Sequence, residues 1–315
     1  MANRVFFYLN SGTHILDLAG AVQVFHEATN YGNPYQIHYI SDAPNQTSSA
    51  NLGFANLTVF SDIDILPDDI LIVAGFRVSH LNKQNTALFE WLKRAEAVKA
   101  TVCSVCTGCF MLAEAGLLDG KDCTTHWDFT DKLQTEYPKI KVLKNRLFVK
   151  SGNIYTSAGV TTGIDLALFL IEQRHGAKFA YQIARELVVY IRRDGSAPQD
   201  SIYLQNRQHL NSSIHDIQDW IIHHLAEKIT IEQLGEQIFM SPRNLTRLFK
   251  TATGITIGAY IEALRAEKAR QMLKENHKVE EVARACGFQS TNQLRTILKK
   301  RVLLDSLSSC KSIAY

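Results

Sequence analysis

Over its first 190 residues the chain alternates short apolar runs with stretches of helical periodicity. "RVFFYL" (4–9), "YQIHYI" (35–40), "DILIVAG" (69–75), "ATVCSV" (100–105) and "NIYTSAG" (153–159) are brief, continuous and rich in β-branched and aromatic residues, the pattern of buried strands. Between them, "DLAGAVQVFHEAT" (17–29), "NTALFEWLKRAEAV" (85–98) and "GIDLALFLIEQRHG" (163–176) repeat their apolar positions at helical spacing, the last with Gly176 as a stop signal. Strand–helix alternation predicts a mostly parallel sheet covered by helices on both faces, an α/β fold of flavodoxin-like type. Around "YIRRDGSAPQDS" (190–201) the periodicity stops and turn formers cluster. The expected organisation is therefore an α/β domain over 1–191, a linker over 192–212 and a second domain over 213–315.

The second domain reads as all-α. "IHDIQDWIIHHLAE" (214–227) places Ile214, Ile217, Ile221 and Leu225 on one face. Two later stretches, "TIEQLGEQIFMSPRNLTRLFK" (230–250) and "KVEEVARACGFQSTNQLRTILKK" (278–300), share one grammar. Each has a short amphipathic helix, a turn, a capping serine (Ser241, Ser290) and a second helix with a basic face. In the first, Pro242 follows the cap, Leu245, Leu248 and Phe249 face inward, and Arg243, Thr246, Arg247 and Lys250 face outward. In the second, Leu294, Ile297 and Leu298 face inward, leaving Thr291, Asn292, Arg295 and Lys299 outside. A longer helix, 256–275, joins the two units, with Ile257, Ile261 and Leu264 on one side.

Charge sharpens this picture. Residues 1–209 carry 19 Lys and Arg against 20 Asp and Glu, whereas residues 210–315 carry 15 against 11. The basic excess belongs to the helical third, where two capped helices present basic faces. One such helix fits the solvated face of an interaction domain. Two copies on a positive domain fit a double helix-turn-helix reading the major groove, with Arg as the usual partner of guanine. Composition adds little else: 46% apolar and 21% charged residues are ordinary for a globular chain. No apolar run approaches the ~18 residues of a membrane span. The first ten residues are too short for a secretory signal. A cytoplasmic location and no membrane partner are expected.

Six cysteines include Cys103, Cys106 and Cys109 in one C-x-x-C-x-x-C run. A metal site would need convergent thiolates and a fourth ligand. With 102–105 a strand and 108–115 a helix, the three side chains diverge, so no metal and no cofactor is expected. The same reading puts Cys106 at a sharp strand-to-helix turn, the geometry of a nucleophile elbow. There the helix N-terminus is expected to lower the thiol pKa.

Two resemblances then become specific. "SPRNLTRLFKTATGIT", "YIEALRAEKARQML" and "VARACGFQSTNQL" make residues 214–300 similar to the DNA-binding domain of AraC/XylS-type regulators. That likeness implies seven helices, with two recognition helices in successive major-groove segments about 34 Å apart. The ending departs from the pattern: Thr296 stands where the family usually has Arg, and "KKRVLLDSLSSCKSIAY" lacks the expected Gly turn and aromatic helix. Either a divergent ending or a frameshift near Val302 accounts for it, and residues after Arg301 are expected to be poorly ordered or atypically packed.

"VCTGCFMLAEAGLLDGKDCTTHW", "HILDLAGAVQVFHEA" and "SAGVTTGIDLALFLIE" resemble the PfpI branch of the class I glutamine amidotransferase-like superfamily. Joined to an AraC-type reader, this is the layout of GlxA-like transcriptional regulators. The likeness implies Cys106 at the elbow, Asp17 facing it, Gly75 at a backbone turn beside an oxyanion site, and Thr107, His126 and Thr161 lining the same pocket. His126 also has a plainer reading, as a hydrogen-bonded, partly buried histidine beside Trp127. Thr107 occupies the position where peptidase-like members carry their base, so amidotransferase or protease chemistry is not expected. Phe76, where a second Gly is common, would narrow the pocket. The expectation is a sequence-specific regulator of double-stranded DNA, with a small effector, a homodimer and a contact to RNA polymerase as partners. An isonitrile-hydratase-like enzyme using Cys106 and a thiol redox sensor remain as alternatives.

Overall fold

The computed structural model describes residues 3–189, 193–199, 206–207, 209–274 and 277–310, with Lys274 and residues 301–310 described as backbone only. The chain divides into two compact units, 1–199 and 200–315.

The first unit is a seven-stranded sheet. Its strands are β1 (Asn3–Tyr8), β2 (Tyr35–Ser41), β5 (Thr58–Val59), β6 (Ile70–Val73), β7 (Thr101–Val105), β10 (Phe148–Ser151) and β11 (Ile154–Ser157), in the spatial order β10-β11-β7-β6-β1-β2-β5. Four two-residue strands, β3 (Gln46–Thr47), β4 (Gly53–Phe54), β8 (Asp122–Cys123) and β9 (Lys141–Val142), form two separate ribbons. Every pairing in the main sheet is parallel except β10 with β11.

The apolar runs read as strands because both faces of the sheet are covered. On β1, Val5 and Phe7 enter one core layer while Phe6 and Tyr8 enter the other. Helices α1 (Ile15–Asn30), α5 (Thr162–His175) and α6 (Ala177–Glu186) close the first layer through Val24, Phe25, Leu166, Ile171 and Ile183. Helices α2 (Thr86–Ala97), α3 (Cys109–Glu114) and α4 (Thr130–Glu136) close the second through Leu88, Leu92, Phe110 and Leu133. Strand order reverses at β1, which has β2 on one side and β6 on the other. The crevice beyond the carboxyl ends of such strands is where doubly wound sheets hold ligands.

Residues 193–199, within the stretch expected as a linker, are bound to this unit. Arg193 is held by Asp165 and Thr161, Leu147 N–H donates to the carbonyls of Gly195 and Ala197, and Gln199 reaches Thr125 and Arg146.

The second unit contains α7 (Ser212–His223), α8 (Ile231–Gln237), α9 (Pro242–Thr253), α10 (Ile257–Lys274), α11 (Val279–Ala285) and α12 (Thr291–Cys310), six helices among the described residues where the resemblance implies seven. Ile214, Ile217, Ile221 and Leu225 are buried as their spacing predicts, against Leu234, Leu245, Phe249, Ile257 and Leu264. A separate small core joins the far half of α10 to α11 and α12 through Ala269, Val282, Cys286, Phe288 and Leu294. One helix thus spans two cores. After α9 the chain turns at Gly254, φ +78, whereas α12 continues unbroken to Cys310. The stretch after Arg301, expected to be poorly ordered or atypically packed, is helical as far as Cys310; its side chains and residues 311–315 lie outside the described residues.

Candidate functional sites

At the end of β7 the backbone turns sharply and Cys106 adopts φ +55, a conformation that L-residues rarely hold without a structural reason. The turn is fixed from below and beside. The Thr125 hydroxyl donates to the Cys106 carbonyl at 2.9 Å. The Thr107 hydroxyl donates to the Phe76 carbonyl at 2.6 Å and accepts the Phe76 N–H at 2.9 Å. Two glycines admit the elbow. A Cβ on Gly75 would lie 2.2 Å from Asp17 Oδ2 and 2.8 Å from Cys106 Cβ. A Cβ on Gly159, whose φ is +89, would lie 2.1 Å from Cys106 Cβ and 2.6 Å from its Cα.

A cavity of about 270 Å³ opens above the thiol. Its floor is Cys106, Thr107 and Asp17; its walls include Phe76, Phe129 and Val160; His14, Arg77 and His126 contribute the basic groups. These residues follow β1, β6, β7, β8 and β11, four of them at the carboxyl edge of the main sheet. Of the expected pocket residues, Cys106, Asp17, Thr107 and His126 line the cavity, and Gly75 packs beneath it. Thr161 does not: it is exposed, and its hydroxyl accepts from Arg193 Nη2 at 3.0 Å. The residue before it, Val160, enters instead. At φ +52, unusual for a β-branched residue, it turns its N–H onto Asp17 Oδ1 at 2.5 Å. Both readings of His126 hold at once: its Nδ1 accepts from Asp128 N–H at 3.4 Å, its ring lies 5.3 Å from Trp127, and it borders the cavity.

The electrostatics depart from the expected activated thiol. Burial, and then the Asp17 charge, push the Cys106 pKa well up, and the Thr107 amide only partly opposes them. Burial also raises the Asp17 carboxyl, against the Val160 amide, His14 and the Cys106 thiol that favour its charged form. Oδ2 of Asp17 lies 3.6 Å from His14 Nδ1 and has no N–H or O–H donor in hydrogen-bond reach among the described residues. The expected lowering by the helix N-terminus fails because the elbow leads into a 3-10 turn, 106–108, and a six-residue α3, too little to offset desolvation. The Phe76 amide, which follows the glycine turn, is occupied by Thr107.

Cys103 and Cys109 are fully buried in opposite core layers, Cys103 in the layer closed by α1, α5 and α6 and Cys109, the first residue of α3, in the layer closed by α2, α3 and α4. Their thiols therefore point apart, with Cys109 facing Cys123. Among the described residues no three His, Cys, Asp or Glu side chains gather as a metal site.

In the second unit Ser241 Oγ accepts the Asn244 N–H at 3.4 Å and Ser290 Oγ accepts the Gln293 N–H at 3.1 Å, so both expected caps form. On α9, Arg243, Arg247 and Lys250 are exposed opposite the buried Leu245 and Phe249. Thr246 is half-buried, and its hydroxyl donates to the Pro242 carbonyl at 2.8 Å. On α12, Asn292, Arg295 and Lys299 are exposed and Thr291 is half-buried. Sequence reasoning missed Phe239, in the turn before α9, which is 98% exposed at φ +54.

An α/β sheet with a cysteine elbow at its carboxyl edge, followed by two capped helix-turn-helix units, defines a regulator built on an enzyme-type fold. The chain belongs to the DJ-1/PfpI family, whose model matches residues 3–173, and a helix-turn-helix domain model matches residues 234–304. It is 31% identical over 296 residues to the HTH-type transcriptional regulator CdhR of Pseudomonas aeruginosa, covering 92% of this chain and 86% of that protein. The isonitrile hydratase of Pseudomonas putida is 35% identical over 188 residues, 59% of this chain and 78% of the enzyme. The crystal structure of an AraC family transcriptional regulator from Pseudomonas putida superposes with a TM-score of 0.53 at 19% identity, covering 59% of this chain and 99% of that one. No helix among the described residues is long and apolar enough to cross a membrane.

Proposed function

We propose that this transcription regulator binds a small effector in the cavity above Cys106 and reads double-stranded DNA with α9 and α12. Arg243, Arg247 and Lys250, with Thr246 beside them, form the first reading face; Asn292, Arg295 and Lys299, with Thr291, form the second. The protein acts as a homodimer in which the effector changes the population of DNA-competent arrangements, which requires different affinities for the two states. Contact with RNA polymerase would follow from activation. The domain limits that go with this reading are a sensing domain over 1–191, a connection over 192–212 and a reader over 213–315.

The observation that carries a sensing rather than a catalytic role is the state of the elbow. Burial and the neighbouring Asp17 push its thiol pKa up, and the Phe76 amide beside it is occupied by the Thr107 hydroxyl. The same raised pKa argues against a peroxide sensor at Cys106, which needs thiolate character. Enrichment of duplexes from a random pool by the full chain tests the reading: a reproducible sequence motif is expected, and recovery of none would refute it. Cys106→Ala should preserve both folding and that binding.

One observation favours a second reading. Asp17, Cys106 and Thr107 stand together at the cavity floor, the trio that the resemblance to isonitrile hydratases implies. Conversion of an alkyl isonitrile to its formamide by the purified chain, abolished in Cys106→Ala, would favour the enzyme.

A further inference from the structure

We propose that residues 193–199 are the coupling strap of the regulator, transmitting occupancy of the Cys106 cavity to the chain that enters the DNA-binding unit. This rests on the reading above and adds the route. The strap is fastened at both ends to residues one step from the cavity wall. At its start, Arg193 Nε donates to Asp165 Oδ2 at 3.1 Å, its Nη2 to the same oxygen at 2.5 Å, and its N–H to Oδ1 at 3.2 Å. The same Nη2 donates to Thr161 at 3.0 Å. Thr161 follows Val160, which lines the cavity and donates its amide to Asp17.

At its far end, Gln199 Nε2 donates to the carbonyls of Thr125 at 3.0 Å and Arg146 at 3.1 Å. Thr125 holds the Cys106 carbonyl through its hydroxyl, and His126, the next residue, borders the cavity. Between the ends, Gly195 lies so close to Phe148 that a Cβ would meet the Phe148 carbonyl oxygen at 2.5 Å. Leu147 N–H bonds the carbonyls of Gly195 and Ala197, and Arg146 Nη1 bonds that of Ser196 at 2.8 Å. The strap therefore follows the wall as a fitted piece.

What lies beyond the strap is also tied down. The Asn206 carbonyl accepts from Gln218 at 3.1 Å, and Arg207 pairs with Asp219, both partners on α7. Six residues separate Gln199 from Asn206, a covalent reach of at most roughly 25 Å. A wall displacement that moves the strap thus moves the point, Gln199, from which the chain leaves the first unit toward α7. The wall has a reason to move in discrete steps. Val160 is held at φ +52 by the hydrogen bond that its N–H donates to Asp17, so an occupant that takes over the carboxylate releases a strained residue directly before the Thr161 anchor.

Linkage makes the route testable without knowing the effector, because DNA must perturb the cavity if the cavity perturbs DNA binding. The probe is iodoacetamide reacting with Cys106 in the full chain at alkaline pH, followed by peptide mass spectrometry, with and without a saturating duplex enriched from the random pool. The alkylation rate reports which cavity arrangement is populated rather than an affinity, and for the wild type it should change severalfold on duplex binding. Gln199→Ala should keep the wild-type fold and duplex affinity but lose that change, and Arg193→Lys, at a cost in melting temperature, should lose it too. If Arg193→Lys unfolds, because Asp165 is buried, Gln199→Ala decides alone. A wild-type rate indifferent to bound duplex would overturn the coupling while leaving the regulator reading intact. Variants that respond like the wild type would overturn the strap as the route. A chain that enriches and binds no duplex would sink the functional reading itself, and the proposal with it.

Discussion

Gly159→Ala is the substitution that most directly tests the geometry of the elbow. Two costs add. An L-residue at φ +89 is strained by roughly 1–2 kcal/mol. The new methyl also lies 2.1 Å from Cys106 Cβ and 2.6 Å from its Cα, where ordinary contact begins beyond about 3.4 Å. Neither side yields cheaply, because Ser157 and Val105 are paired in parallel register just before the two turns. Overpacking of this kind costs about 1–3 kcal/mol. The expected total is about 2–5 kcal/mol, which for a unit of this size lowers its melting temperature by roughly 5–15 °C. Gly152→Ala is the matched control. Gly152 has φ +66 but open space where its Cβ would lie, so it incurs the backbone cost alone. Calorimetry of the full chain, comparing the α/β transition in both variants, isolates the steric part. A Gly159→Ala loss no larger than that of Gly152→Ala would refute the close approach of the two turns.

Phe239→Gly should stabilise the helical unit by roughly 0.5–1 kcal/mol, since the ring is 98% exposed at φ +54 and loses no burial; a denaturant melt of that transition checks it. Arg247→Ala should cost about 1–3 kcal/mol in duplex affinity at fixed salt if the residue reads a base, and unchanged binding by a folded variant would dismiss it as a contact. Asp17 has its pKa raised by burial, so stability associated with its protonated form is complete below the ordinary carboxyl value and is lost as pH rises through the folded-state value. Asp17→Asn should flatten that part of the stability–pH curve. Because the Asp17 charge is one of the groups raising the Cys106 pKa, the same variant should react faster with iodoacetamide at Cys106, and an unchanged rate would contradict the assigned electrostatics.

Strands β1, β6, β7 and β11 were legible because a strand buried on both faces has no polar alternation to hide it, whereas the two-residue parallel β5 was not predicted. Strand β10 was not: "FVKS" is half-exposed, antiparallel and at the sheet edge, and four residues carry too little period to stand out. Cys106 could be found from chain direction alone, as the residue between an apolar strand and a helix. Thr161 could not be placed, because one left-handed residue at Val160 exchanges which neighbour faces inward, and nothing in "SAGVTTG" announces that a valine holds it. Arg77 sits in the loop after β6 outside every motif, and His14 opens "HILDLAGAVQVFHEA" without being singled out in it; only the switch in strand order brings them over the thiol. The thiol pKa was misjudged because a sequence displays a helix start but not the depth at which it lies. In the second unit the caps and the inward leucines followed from spacing, whereas the orientation of Thr246 depended on a hydroxyl bonding back to its own helix.

Helix α10 gives its near half to one small core and its far half to the other. Eighteen residues at 1.5 Å each make a rod about 27 Å long, so the two reading heads are bolted to a single beam rather than strung on a cord. A beam behaves as a ruler. Under the proposed reading its target would have to offer both contact segments at one fixed phase, and a single inserted base pair would swing the second segment about 34° around the duplex while shifting it by about 3.4 Å. Binding sites for such a protein can drift in their letters more easily than in their length, and any two sites it shares should agree in spacing before they agree in sequence.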